Sequence, residues 1–171
     1  MEPLSRADQL SLDAAEGWLG LGNHVEAFTE LEKISPEVQE HPDVLRMRYN
    51  IYAAARNWTA AAEVAQALCG LPAAEPFGPI HLAYALHELK RTKEAWDVLL
   101  PVAARFPDEY IVRYNLACYA CQMGNLPTAR KWLERAVEIA GPDLIRKMAL
   151  QDADLEQLWP QIKSWQPGTT G

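Results

Sequence analysis

Apolar residues along this chain recur with a helical period, and the whole pattern then recurs at a longer one. In MGNLPTARKWLERA, residues 123–136, Ala129 is followed by Leu133 and Ala136 at i+4 and i+7, which is one face of a helix. LGNHVEAFTELEKI, residues 21–34, repeats the arrangement with Ala27, Leu31 and Ile34. The two are linked by a register: Ala27, Ala61, Ala95 and Ala129 stand 34 residues apart without a break. Ala65 and Leu99 complete the i+4 set, and Leu68 and Val102 the i+7 set. Twelve residues before each alanine stand Ala15, Tyr49, Ala83 and Ala117. Small residues at such positions suit helices that cross closely.

Turn chemistry keeps the same step. Five residues before each alanine are Gly22, Arg56, Lys90 and Gly124, followed by Asn23, Asn57, Arg91 and Asn125. Glycine supplies the left-handed conformation that ends a helix, and asparagine caps the next one. Arg56 and Lys90 are expected to adopt that conformation at a cost of order 1 kcal/mol. Pro36, Pro42, Pro72, Pro76, Pro79, Pro107 and Pro142 break helices between the units. The pattern predicts paired helices over 4–20 and 24–35, 42–55 and 58–70, 77–89 and 93–105, 108–123 and 126–140. A last pair is predicted over 142–150 and 154–164.

The 34-residue period, the small residues at its eighth and twentieth positions and the Gly-Asn turn resemble the tetratricopeptide repeat, most closely in YNLACYACQMGNLPTARKWLERAVE. The aromatic usual at the fourth position of that repeat is absent throughout. DLIRKMALQDADLEQLW resembles the segment that closes many bacterial arrays of this kind, with Asp152, Ala153 and Asp154 in place of its Asp-Pro-Asp. The resemblance covers about residues 8 to 159. It implies an all-α fold, a right-handed superhelix of about four helix-turn-helix repeats (8–41, 42–75, 76–109 and 110–141) with a capping pair over 142–165. Residues 1–165 would then form one repeat domain and 166–171 a flexible tail. Stacked hairpins bury faces that one hairpin cannot, and their first helices, the A helices, line a concave surface. Trp159 and Trp165 are expected to cover the last hairpin, with Arg146, Lys147, Glu156 and Gln157 as its polar outer face.

In this family the second, fifth, sixth, ninth, twelfth and thirteenth positions of each A helix face the groove. By register this implies a peptide-binding set of Glu16, Arg46, Asn50, His81 and Tyr84, together with His87, Tyr114, Asn115, Cys118 and Gln122. Aromatic and hydrogen-bonding groups so mixed suit an extended peptide or a partner helix. Tyr84, Tyr114 and Met47 are equally well placed to be core between A helices. The carboxylate clamp that some members use on chaperone tails is not present: Arg46 and Asn50 fit its first two places, but Ile111 and Asn115 fall where cations are required.

Composition narrows the partners. The chain of 171 residues is 49% hydrophobic and 23% charged, a globular balance, and its formal charge is -7. That sign disfavours nucleic acid and anionic lipid, which need a basic footprint. No apolar run reaches membrane length. The opening MEPLSRADQL has no basic stretch leading into an apolar one, and three cysteines do not make a disulfide framework, so a cytoplasmic setting is expected.

Candidate chemistry is thin. Cys118 and Cys121 form a Cys-x-x-Cys, and His81 and His87 could add two ligands, but cysteines three apart within a helix chelate poorly and the histidines fall on divergent faces. Buried packing is the simpler reading. No phosphate loop, zincin motif or nucleophile elbow is present, so neither a cofactor nor an enzymatic activity is expected. Three functions remain: an adaptor or chaperone-like module binding a protein or peptide, a homodimer built through the groove or a first hairpin exposing Leu4, Leu10 and Leu12, and the weaker Cys/His metal site.

Overall fold

A computed structural model describes residues 3–71 and 75–165; Pro72 and the tail over 166–171 lie outside the described residues. Among the described residues there are ten α-helices and no strand. They are α1 (Arg6–Gly20), α2 (His24–Leu31), α3 (Pro42–Ala54), α4 (Trp58–Cys69), α5 (Phe77–Glu88), α6 (Thr92–Arg105), α7 (Tyr110–Gln122), α8 (Leu126–Ala140), α9 (Pro142–Ala149) and α10 (Trp159–Lys163). Short 3₁₀ turns occupy Pro36–Val38 and Ala153–Leu158.

The chain reverses where the sequence says it should. Gly22, Arg56, Lys90 and Gly124 take φ values of 78°, 55°, 64° and 78°. At three of these turns the same pair of bonds closes the helix. The Asn23, Asn57 and Asn125 N–H groups reach back to the carbonyls of Trp18, Tyr52 and Ala120, while those of Gly22, Arg56 and Gly124 reach Leu19, Ala53 and Cys121. This is the Schellman closure, which satisfies carbonyls left over at a helix end. Each asparagine side chain then caps the next helix, accepting from Glu26, Ala60 and Thr128 N–H at 3.1, 3.3 and 3.2 Å. At the remaining turn Arg91 instead forms a fork of two 2.7 Å bonds to Glu94. The register alanines Ala27, Ala61, Ala95 and Ala129 are fully buried, and their i+4 and i+7 companions are buried with them.

The described residues divide into two compact units, one ending at Leu89 and the other beginning at Lys90. In the first, α1 packs on α2, α3 on α4 and α4 on α5. Its core joins Leu12, Ala15, Ala27, Leu31, Ile34, Val44, Met47 and Ile51, with Leu4 packed against them. Leu12, expected near the surface of the first hairpin, is therefore core, and Leu4 is partly buried against it. Leu10 is exposed, together with Leu21 and Val25. Gly78 lets α5 approach α4: a Cβ there would stand 2.9 Å from the Cys69 backbone nitrogen.

In the second unit α6 and α8 pack on α7, α9 packs on α8, and the Ala153–Leu158 turn lies against α7. Arg113 is a tie within it: its guanidinium donates to the Ala103 carbonyl at 2.6 Å, to Glu109 at 3.2 Å and to Phe106, fastening the end of α6 to α7.

Two helices end sooner than the periodicity predicts. α2 stops at Leu31 instead of 35 because Ser35 precedes Pro36 and is driven into an extended conformation (ψ 138°). Its N–H is taken by the Asp8 carboxylate at 2.7 Å. The helix expected over 154–164 is split into a 3₁₀ turn and α10. Pro160 lacks the N–H that a continuous helix would place on the Glu156 carbonyl, and its ring would clash there.

Candidate functional site

In the first unit Glu16 lies on α1, Arg46 and Asn50 on α3, and His81 and Tyr84 on α5. Tyr49, three residues after Arg46 and next to Asn50 on α3, is almost wholly buried and anchors the arrangement. Its ring stands edge-on to His81, centroids 4.7 Å apart, and its hydroxyl donates to the His81 carbonyl at 3.2 Å. His81 in turn stacks on Phe77 at 3.7 Å, and the Arg46 guanidinium lies over the Phe77 ring, 5.2 Å from its centroid. Arg46 also pairs with Glu75. The result is an ordered stack, Arg46–Phe77–His81–Tyr49.

Burial, opposed by the bond from its own helix and reinforced by Arg46, lowers the His81 pKa, so the imidazole is neutral at pH 7. Its Nδ1 lies 2.8 Å from the Phe77 carbonyl, which can only accept, so Nδ1 carries the proton and Nε2 is an acceptor. Burial likewise raises the Tyr49 pKa, with Tyr84 and Glu88 adding to it. Asn50 is partly exposed beside this stack. Tyr84 is 41% exposed and meets the edge of Trp58 at 5.6 Å. Glu16 is exposed on α1, whereas His87, expected on the same face of α5, is buried at 5% exposure. The surface thus offers aromatic area, an amide and a guanidinium, groups that recognise backbone and side chains rather than break bonds.

Sequence reasoning passed over Phe77 and Glu75, the residues that orient Arg46. Phe77 occupies the second position of the third repeat, one of the places the register marks as facing the groove, so its signal was there to be read. Glu75 carries no periodic signal; only its charge opposite Arg46 distinguishes it.

On α7 the outcome differs. Tyr114 is 4% exposed and Cys118 equally buried, because the turn after α9 covers them. The Tyr114 hydroxyl donates to Asp152 Oδ2 at 2.9 Å, the Cys118 sulfur lies 3.5 Å from the same oxygen, and Gln122 Nε2 donates to the Asp154 carbonyl at 3.0 Å. Asn115 stays partly exposed. The chain's own acidic turn therefore occupies the face of α7 that the register assigned to a partner. Burial above all, then Asp152 and Asp154, pushes the Cys118 thiol well up, and burial does the same at Cys121. Both are buried packing thiols of α7, Cys118 within the helix and Cys121 in its last turn. Among the described residues no group of three or more His, Cys, Asp or Glu side chains is placed to hold a metal ion. None of the described helices is long and apolar enough to cross a membrane.

The fold is an all-α helical repeat of tetratricopeptide-like architecture. Solved structures share the fold, among them two of MamA. The MamA RS-1 ArsTM double mutant superposes with a TM-score of 0.72 at 17% identity, over 94% of this chain and 93% of that one. MamA 41-end from Desulfovibrio magneticus RS-1 does so with a TM-score of 0.72 at 16% identity, over 94% and 96%. At such identity the likeness speaks of the fold alone. No family profile and no curated protein matches the sequence.

Proposed function

We propose that this chain is a tetratricopeptide-type protein-interaction module, an adaptor or scaffold without catalytic activity, that holds a peptide or helix against the face of α1, α3 and α5. The observation that carries the reading is the ordered Arg46–Phe77–His81–Tyr49 stack beside the exposed Tyr84 and the part-exposed Asn50. A pre-arranged aromatic and amide surface of this kind supports recognition with little ordering cost. Tyr84 and Asn50 contact the partner; Arg46 and His81 hold the surface in place; Glu16 extends it on α1. The carboxylate-clamp chaperone tails are not its ligands.

The test is a pull-down from the organism of origin with wild-type chain and with Asn50→Ala/Tyr84→Ala, each checked for native circular dichroism. Partner recovery drops in the double variant. Equal recovery from a folded variant would remove this face from the binding function.

A homodimeric scaffold is the second reading. Leu21 at 79% exposure, with Leu10 and Val25 at 61% each, leaves apolar surface on the first hairpin, and such surface favours association. Sedimentation across a concentration series decides it: a monomer at every concentration eliminates the dimer, and a dimer lost in Leu21→Asp supports it.

A further inference from the structure

The second unit has a pocket of about 410 Å³ walled by α6, α7 and α8, whose chemistry no part of the preceding reading uses. Two arginines line it. Arg113 is only 7% exposed, and its three protein bonds all go to neutral carbonyls. A guanidinium has five N–H donors, so two remain. Arg135 comes from α8 with its guanidinium over the Trp132 ring, 4.8 Å from the centroid. Trp132 is itself held edge-on against Trp96 at 6.4 Å. Among the described residues neither arginine has a carboxylate within ion-pairing distance. Burial, and then the charge of Arg135, lowers the Arg113 pKa, while Asp108 and Glu109 act in the opposite direction.

Trp132 and the 38%-exposed Ile139 supply an apolar wall alongside the cations. Glu138 also lines the pocket. Asp108 and Glu109 also act on Arg113 from the turn before α7, but among the described residues no carboxylate pairs directly with either guanidinium, so the N–H groups that Arg113 keeps free remain open to an outside acceptor. An occupant that matches both features is anionic and carries an apolar group beside its charge.

We propose that this pocket docks an acidic segment of a partner protein, with an Asp or Glu carboxylate on Arg113 and Arg135 and a neighbouring aliphatic or aromatic side chain against Trp132 and Ile139. Arg113 is preset for the role by its carbonyl bonds. Guanidinium–carboxylate pairing is charge-assisted and often bidentate, which gives orientation as well as affinity. The pocket lies wholly in the second unit and is independent of the face on α1, α3 and α5.

The experiment is a titration of the full ¹⁵N-labelled chain, read by two-dimensional NMR, with hexapeptides that alternate Glu or Asp with Leu or Phe between terminal glycines, and with their Gln/Asn counterparts. The acidic peptides shift the Trp132 indole signal and the amides of Ala103 and Ile139; the amide counterparts do not. Arg135→Glu, at an exposed position, weakens binding by about tenfold or more, whereas Glu138→Gln tightens it about two- to threefold. Tyr84→Ala leaves it unchanged, which separates this site from the proposed binding face. Absence of shifts with the acidic peptides, equal shifts with the amide peptides, or indifference to Arg135→Glu would each overturn the proposal. Inorganic phosphate that reproduced the peptide's shifts would make the pocket a general anion site and defeat the assignment. Movement of the same signals with protein concentration alone would give it to a second copy of the chain, with the same effect.

Discussion

The Tyr114 hydroxyl donates a 2.9 Å hydrogen bond to the carboxylate of Asp152, joining α7 to the turn that follows α9. Asp152 serves both sides of that joint. Its Oδ2 faces Tyr114 and Cys118, while its Oδ1 accepts from the Asp154 N–H at 3.0 Å and starts the 3₁₀ turn. Trp159 closes the segment from its far end through a 2.7 Å bond to the Ala149 carbonyl. Removing the carboxylate leaves a buried hydroxyl and a turn N–H without their acceptor. Asp152→Ala is expected to lower stability by about 2–3 kcal/mol, and Tyr114→Phe, which strands only part of one carboxylate, by about 1 kcal/mol. Urea unfolding followed by tryptophan fluorescence measures both; a loss below about 0.5 kcal/mol in Asp152→Ala would show that the bond does not hold the turn.

The four left-handed turn residues invite substitutions of opposite sign. Arg56 and Lys90 carry side chains at φ 55° and 64°, where an L-residue is strained. Arg56→Gly and Lys90→Gly should each raise stability by up to about 1 kcal/mol, the unfolded-chain entropy of glycine offsetting part of the relief. Gly22 and Gly124 sit at φ 78° with open space where a Cβ would go, so conformation alone sets the cost. Gly22→Ala and Gly124→Ala should lower stability by about 1 kcal/mol. Thermal melts of the four single variants compare the signs directly.

These turns were legible because each uses local chemistry, a left-handed residue followed by a capping side chain, repeated at a step that the buried alanines keep. The face of α7 shows where legibility stops. Register places Tyr114 and Cys118 on one side of a helix, but nothing periodic says that Asp152, 38 residues after Tyr114, comes to lie on them. Pro160 is absent from the breakers the periodicity marks, yet its missing N–H splits the helix expected over 154–164. Asp8 accepts from the Ser5 hydroxyl within its own first turn. Its second bond, to the Ser35 N–H, spans 27 residues and emerges only in the fold.

Asp8 gives the first unit a predictable acid limb. Its ionised carboxylate accepts from the Ser35 N–H at 2.7 Å and from the Ser5 hydroxyl at 2.6 Å, and these bonds, the Ser35 backbone foremost, hold its pKa below the usual aspartate value. A folded pKa lower than the unfolded one means that the stabilisation is complete above the unfolded value of about 3.9 and fades as pH falls through the folded value. Asp8→Asn should therefore be less stable than wild type at neutral pH, and the gap should narrow as pH drops below about 3.9. Parallel urea titrations from neutral to acid pH test this. A gap that stayed constant would assign the effect to lost shape or capping instead of charge.

Gly78 separates steric from conformational demands on glycine. It lies within helix α5, where alanine is the better helix former by about 1 kcal/mol, so propensity alone favours replacement. Packing opposes it: a Cβ would meet the Cys69 nitrogen at 2.9 Å, the Leu68 carbonyl carbon at 3.1 Å and the Cys69 sulfur at 3.2 Å. Two of those atoms are backbone and cannot swing aside, so α5 would have to lift from α4 and loosen the seat of Phe77 and His81. Gly78→Ala is expected to lower stability by about 1–3 kcal/mol. Gly17, helical in α1 with nothing within 4 Å of its would-be Cβ, is the internal control. Gly17→Ala should raise stability by about 0.5–1 kcal/mol, so the two identical substitutions part in sign. Urea midpoints measured side by side read that difference, and a stabilised Gly78→Ala would refute the close approach of α5 to α4.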